Sequence, residues 1–191
     1  MISLVASETE GDRLRVLSVC VGNICRSPVS EFLLNHEFGD RIESTSAGTH
    51  ALVGDPVYPP MATRLDALGV AHVGGARQIT ATMLRESDLV LTMTRQLRSR
   101  VVELAPAALR RTFTLAEFAA IVSAAPRPVE RPAGRTELIP LIAAAAAQRS
   151  AVASRGADLD IADPYRRDDA DYALAFDQIR RCVAAIGAAW N

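Results

Sequence analysis

The segment Cys20-Val21-Gly22-Asn23-Ile24-Cys25-Arg26-Ser27 gathers a thiol, a guanidinium and a hydroxyl. Five residues separate Cys20 from Arg26, and Ser27 follows directly. That set suits the capture of a phosphate and its attack by sulfur. The thiolate is the nucleophilic form of cysteine; loop N–H groups, a following helix N-terminus and the Arg26 charge all favour it. Gly22 lets the backbone turn without a Cβ clash. The N–H groups of Val21, Gly22, Asn23, Ile24, Cys25 and Arg26 can then point inward as an anion-binding nest. Arg26 can hold two phosphate oxygens at once. In phosphoryl transfer charge spreads over three equatorial oxygens, and a ring of N–H groups with one guanidinium matches it. Ser27 can donate a hydrogen bond to the sulfur, making it a better leaving group when a phosphoenzyme breaks down. A bare Cys-x5-Arg beside a structural cysteine would be weak evidence. Here Gly22, Ser27, Pro28 and the apolar run before the loop all agree.

The flanking elements must position this loop. Arg15–Val19 reads as a buried strand leading in, and Pro28–Glu37 as an amphipathic helix leading out, with Pro28 at its first position. Arg41–Ala47, Leu89–Met93 and Arg111–Thr114 read as further strands. Met61–Leu68, Ala81–Glu86, Gln96–Leu104, Leu115–Val122, Glu137–Val152 and Asp171–Trp190 read as helices. The alternation predicts an α/β fold: a four-stranded parallel sheet with helices on both faces. Ligands then sit at the carboxyl ends of strands, where the Cys20 loop lies. One domain spans 1–191, with a loose leader at 1–13 and Gly156–Ala162 as a linker before the turn Asp163-Pro164-Tyr165.

Composition narrows the class. A chain of 191 residues, 49% hydrophobic, can bury a real core. Its net charge of -1 offers no general field for nucleic acid or an anionic membrane. All basic residues are arginine, which with the Ala-rich stretches reads as the composition bias of a high-GC bacterium. Three cysteines form no disulfide framework, and Cys20 and Cys25 lack a second Cys/His pair for zinc. No signal peptide and no membrane span is expected, so a cytoplasmic enzyme without metal or cofactor is the reading.

From Val19 to Pro28 the chain resembles the signature of the low-molecular-weight protein tyrosine phosphatases. Ser46-Ala47-Gly48-Thr49, Ala76-Arg77-Gln78, Asp88–Met93 and Asp163-Pro164-Tyr165 resemble further family segments in the right order, so that the likeness covers roughly residues 14–122 and 159–188. The resemblance implies a Rossmann-like three-layer sandwich and a protein tyrosine phosphatase. Cys20 would attack phosphorus, Arg26 would clamp the phosphate, and Asp163 would protonate the leaving phenol oxygen and then activate water. A phenolate leaving group needs a proton donor, and a carboxylic acid in a partly closed cleft can be one. The resemblance also implies a left-handed Asn23 that holds the loop, bonded to Ser46, and a reversible Cys20–Cys25 disulfide. An ordinary loop Asn and a small buried Cys25 are the plain alternatives. Tyr165 would wall the phenol pocket; Cys182 reads as core, and His36, His50 and His72 as structural. The implied partner is a phosphotyrosine-containing protein, such as a bacterial tyrosine kinase.

Three departures stand out. Arg166-Arg167 follow Tyr165 where several family members carry a second aromatic, which favours acidic peptides or leaves a solvated pair. The family often places a His two residues before Ala-Arg-Gln, whereas Gly74-Gly75 precede Ala76 here and His72 lies further back. Residues 123–157 are extra relative to a compact member; they are expected to pack near and cover or reshape the cleft, or else to be a surface excursion. Two rivals remain. A thioredoxin-coupled arsenate reductase needs relay cysteines, and only Cys182 is on offer. A catalytically silent phosphate-binding regulator would not need Cys20, Arg26, Ser27 and Asp163 together.

Overall fold

A computed structural model describes residues 12–150 and 158–191. The parts of the expected leader and insertion at 1–11 and 151–157, with Gly156 and Ala157 of the expected linker, lie outside these described residues. Four parallel strands form the sheet in the order β2-β1-β3-β4: β1 Leu14–Cys20, β2 Ile42–Gly48, β3 Leu89–Thr92 and β4 Thr112–Thr114. The pairing brings Cys20 level with Gly48 and Val19 level with Thr92. Three strand ends therefore converge on the start of the Cys20 loop.

Strand alternation explains the two-sided burial. In β1, Leu14 and Val16 join the larger core and Leu17 and Val19 the smaller one, because successive side chains point to opposite faces. The larger core is filled by α1 (Arg26–Phe38), α2 (Pro59–Asp66), α5 (Leu115–Ala124), α6 (Arg135–Ala147) and α7 (Asp169–Trp190). The smaller one is covered by α3 (Ala81–Glu86) and α4 (Arg95–Leu104). Helices thus lie on both faces of the parallel sheet, as the alternation of elements predicts.

Two sequence expectations need correction. The first helix begins at Arg26, so Pro28 is its third residue rather than its first. The physics is unchanged: the first intrahelical bond runs from Val29 N to Cys25 O, and a missing N–H at Pro28 costs nothing. The described part of the extra segment also does not cover the Cys20 cleft. Helix α6 starts where Arg135 N donates to Asp12 O beside the amino end of β1. Further on, the Arg149 guanidinium donates to Thr112 O on the edge strand β4 and lies 4.3 Å from the Phe113 ring. The described part of the segment thus packs at the amino end of β1 and takes one carbonyl of the edge strand. The chain then reappears at the carboxyl end, where Ile161 N donates to Met93 O and Ile161 is buried. The expected linker is, from Asp158 on, a packed connection rather than a loose one.

Candidate active site

The helices differ in how they begin. Thr80, Thr94, Thr114 and Asp168 cap α3, α4, α5 and α7 with side-chain oxygens, satisfying N–H groups that the first turn leaves free. Helix α1 has Cys25 at its cap position and no such bond. Its amino end stays available for an anion.

The loop before it is turned with its carbonyls outward. Cys20, Val21, Gly22 and Ile24 oxygens accept from the N–H groups of Thr49, His50, Leu52 and Tyr58, at 2.8–3.0 Å. Peptide planarity turns the loop N–H groups the other way. Asn23 N donates to Cys20 Sγ at 3.2 Å, while the N–H groups of Val21, Gly22, Ile24, Cys25 and Arg26 have no acceptor among the described residues. Free donors gathered round the Cys20 sulfur at the start of α1 suit an anion cradle. Gly48 makes the close approach possible, since a Cβ there would run into the Val21 carbonyl oxygen.

Asn23 is the brace. Its φ of 58° lies in the left-handed region, which Asn tolerates better than most residues. Its Nδ2 donates to Ser27 Oγ at 2.9 Å and to Ser46 Oγ at 2.8 Å, and its Oδ1 accepts from Arg77 N at 2.7 Å. Ser27 Oγ donates in turn to Cys20 Sγ at 3.0 Å. The Ser46 bond joins a longer chain, because Ser46 Oγ donates to Glu31 Oε2 at 2.5 Å. Burial raises the Glu31 carboxyl above its usual range, more than the Ser46 bond and the Arg77 charge lower it.

Arg26 is buried on the far side of the cradle. Nη1 donates to Ile161 O at 2.9 Å, Nη2 meets Asp163 Oδ2 at 2.5 Å, and Nε is buried with no partner among the described residues. Nε and Nη2 share the guanidinium edge that a phosphate takes with two parallel bonds. The residue therefore joins the loop to the Asp163 segment while keeping a donor in reserve.

The resulting cleft has a volume of about 150 Å3 and is lined by Cys20 to Gly22, Ile24 to Arg26, His50, Leu52, Asp163 and Tyr165. Tyr165 lies edge-on to Tyr58 at 5.6 Å, and Tyr58 stacks on Tyr172 at 5.7 Å. Arg166 is not merely solvated. Its φ of 61° is held by an N–H bond to the Tyr172 hydroxyl, and its guanidinium lies 5.3 Å from the Tyr165 ring centre. It backs the aromatic wall.

All three named reactive residues meet here, together with the loop and Tyr165; Ser46 supports them from behind. Sequence reasoning missed Glu31, Tyr58 and Leu52, and read His50 as structural although it lines the cleft. Closeness of His50 and Leu52 to Ser46-Ala47-Gly48-Thr49 was the available signal. Cys20 and Cys25 are both free thiols, and burial, with the Cys20 and Asp163 charges, pushes Cys25 up to about 12. Cys182, on α7, is pushed up to about 11 by burial and does not line the cleft.

This geometry agrees with the known proteins that the chain resembles. A match to the family of low molecular weight phosphotyrosine protein phosphatases spans residues 15–138, and the chain belongs to that family. Wzb of Salmonella typhi, a low molecular weight protein-tyrosine-phosphatase, is 42% identical over 95 residues, which is 48% of this chain and 62% of Wzb. The aligned part thus spans less than two thirds of that relative. Among solved structures, the YwlE arginine phosphatase of Geobacillus stearothermophilus superposes with a TM-score of 0.70 at 25% identity, covering 92% of this chain and 91% of that one. The tyrosine phosphatase AmsI of Erwinia amylovora shares the fold, with a TM-score of 0.67 at 23% identity over 93% of each chain. Among the described residues, no helix is long and apolar enough to cross a membrane.

Proposed function

We propose that this chain hydrolyses phosphotyrosine in proteins through a cysteinyl-phosphate intermediate. The observation that carries the reading is the set of loop N–H groups without an acceptor among the described residues, next to Cys20 Sγ and closed by Arg26, which has a free Nε and pairs with Asp163. An arriving phosphate takes the N–H ring and the Nε–Nη2 edge of Arg26. Asp163 gives up its ion pair, takes a proton from solvent, and turns as the neutral acid to the ester oxygen. Sulfur attacks phosphorus as the phenol leaves with the proton of Asp163, and the S–P bond replaces the O–P bond. Asp163, now a carboxylate, takes a proton from water, whose oxygen attacks phosphorus and returns the thiolate. The Ser27 hydroxyl favours sulfur as the leaving group in that second step.

The walls favour an aryl group. Leu52 and Tyr165 present apolar surface at the mouth, and Ile24 lines the cleft from the core side. The structural likeness to an arginine phosphatase supports a second reading, hydrolysis of phosphoarginine. One assay separates them: kcat/KM on matched phosphotyrosine and phosphoarginine peptides. Preference for phosphotyrosine, with turnover lost in Cys20→Ser, is the expected outcome; preference for phosphoarginine overturns it. Arsenate reduction with thioredoxin would revive the redox reading, and no turnover of any of these would leave a silent phosphate-binding regulator. The protein partner is a phosphotyrosine-bearing chain such as a bacterial tyrosine kinase, captured by an Asp163→Ala variant that binds without release. A cytoplasmic place of action fits such a partner.

A further inference from the structure

At the amino ends of the strands, away from the cleft, Arg15, Arg85, Arg110, Arg111 and Arg135 line a groove of about 380 Å3. Among the described residues that line it, a single carboxylate, Asp88, faces them. It is already engaged: Arg135 donates to both of its oxygens at 2.8 and 2.9 Å, and Arg15 N donates at 3.0 Å. Burial pushes Asp88 up, yet these bonds and the two arginine charges together hold it below the usual carboxylate range, so it stays ionised and occupied.

The other three guanidinia have no carboxylate partner among the described residues. Arg85 reaches only the Thr82 hydroxyl. Arg111 donates to the Leu84 and Ala107 carbonyls, and its Nε is buried with no partner among the described residues. Those main-chain bonds hold the group in place without neutralising it. Like charges kept in one recess repel, and a bound multivalent anion would relieve that with charge-assisted hydrogen bonds. The excess is local, because the chain as a whole carries a net charge of -1.

The groove has an apolar wall as well. Ile139, Ile142 and Ala143 of α6 provide it, and all three lie beyond the residues that match the family. The extra segment therefore builds half of a recess whose other half is arginine. We propose that this groove is a second anion site that takes a small polyphosphate, the chemistry shared by inorganic tripolyphosphate and the tail of a nucleoside triphosphate. A lone phosphate can satisfy one or two guanidinia; a chain of phosphates can span all three unneutralised ones.

The test is a titration of the full-length protein with inorganic tripolyphosphate at about 50 mM salt, where screening is modest. The methyl resonances of Ile139, Ile142 and Ala143 and the amide resonances of Cys20 to Ser27 report separately on the two anion sites. Saturable shifts of the α6 methyls are expected, with binding weakened at least about tenfold in the double variant Arg85→Gln/Arg110→Gln. Both side chains are exposed, and an unchanged Tm confirms the fold. A parallel titration with ATP identifies the source: tighter binding than tripolyphosphate places a base on the α6 wall, and equal binding leaves the phosphate chain alone as the recognised group. Shifts confined to Cys20–Ser27, wild-type affinity in the double variant, or binding of an acidic peptide but not of tripolyphosphate would overturn the proposal.

Discussion

The phosphate loop and the Asp163 segment meet at one ion pair, yet they reach it by different routes. The loop is held from within and from behind: Asn23 bonds to Ser27, Ser46 and the Arg77 N–H, and four loop carbonyls are taken by residues 49–58. Asp163 sits in a turn where its Oδ1 accepts from Tyr165 N, and the segment before it is tied down by contacts with distant residues. Ile161 N reaches Met93 O, Asp160 accepts from Arg95, and Asp163 itself meets Arg26 while being half exposed. A cradle for a fixed tetrahedral anion gains from rigidity. In the proposed mechanism the proton donor must leave Arg26 and turn to the substrate, which a looser hold favours.

The sharpest way to break that comparison is to remove the reacting atom of each half. Cys20→Ser is expected to lower kcat by at least about 10^4-fold on every phosphate ester, since no nucleophile of comparable strength remains. Asp163→Asn should be selective instead. Turnover of phosphotyrosine peptides falls by about 10^2- to 10^4-fold, and turnover of para-nitrophenyl phosphate, whose leaving group needs little protonation, falls far less. Equal losses on both substrates would mean that Asp163 holds Arg26 rather than donating a proton.

Asn23→Ala attacks the loop through its brace. Three side-chain hydrogen bonds go, two of them buried, and alanine inherits a left-handed φ of 58°. A loss of about 3 kcal/mol is expected, read as a fall in Tm of roughly 10 °C, together with weaker phosphate inhibition. Arg95→Ala attacks the other half. Its bonds to Asp160 are exposed, so Tm should hardly move while kcat on phosphotyrosine drops by at most about fivefold. A large Tm loss in that variant would show that the Asp163 segment is as firmly built as the loop.

The two halves were also unequally legible in the sequence. The loop could be read because its chemistry is local: thiol, glycine, guanidinium and hydroxyl stand within eight residues, and the apolar runs before and after them declare strand and helix. Only the register was off by two residues at Pro28, because a first turn accepts proline at any of its early positions. Asp163 could not be placed by spacing at all and rested on resemblance to a family. The path of the extra segment could not be read either, since its Ala-rich pattern says helix without saying where on the sheet it packs. Glu31, Tyr58 and the arginine groove are made by residues far apart in the chain, and no short-range pattern announces them.

The smallest expected effect concerns how far the loop's support extends. Glu31 stands behind Ser46, and burial raises its carboxyl above the ordinary 4.5. The folded protein therefore holds that proton more tightly than the unfolded chain does. The cost of a buried carboxylate is absent below the ordinary value, grows as pH rises through the raised one, and is constant above it. Glutamine can accept the same Ser46 hydrogen bond without the charge. The Tm of Glu31→Gln relative to the wild type should therefore climb from pH 4 upward and level off once Glu31 is ionised in the folded wild type. A difference that stays flat with pH, or falls, would show that the support behind the phosphate loop ends at Ser46, leaving the loop braced by uncharged groups alone.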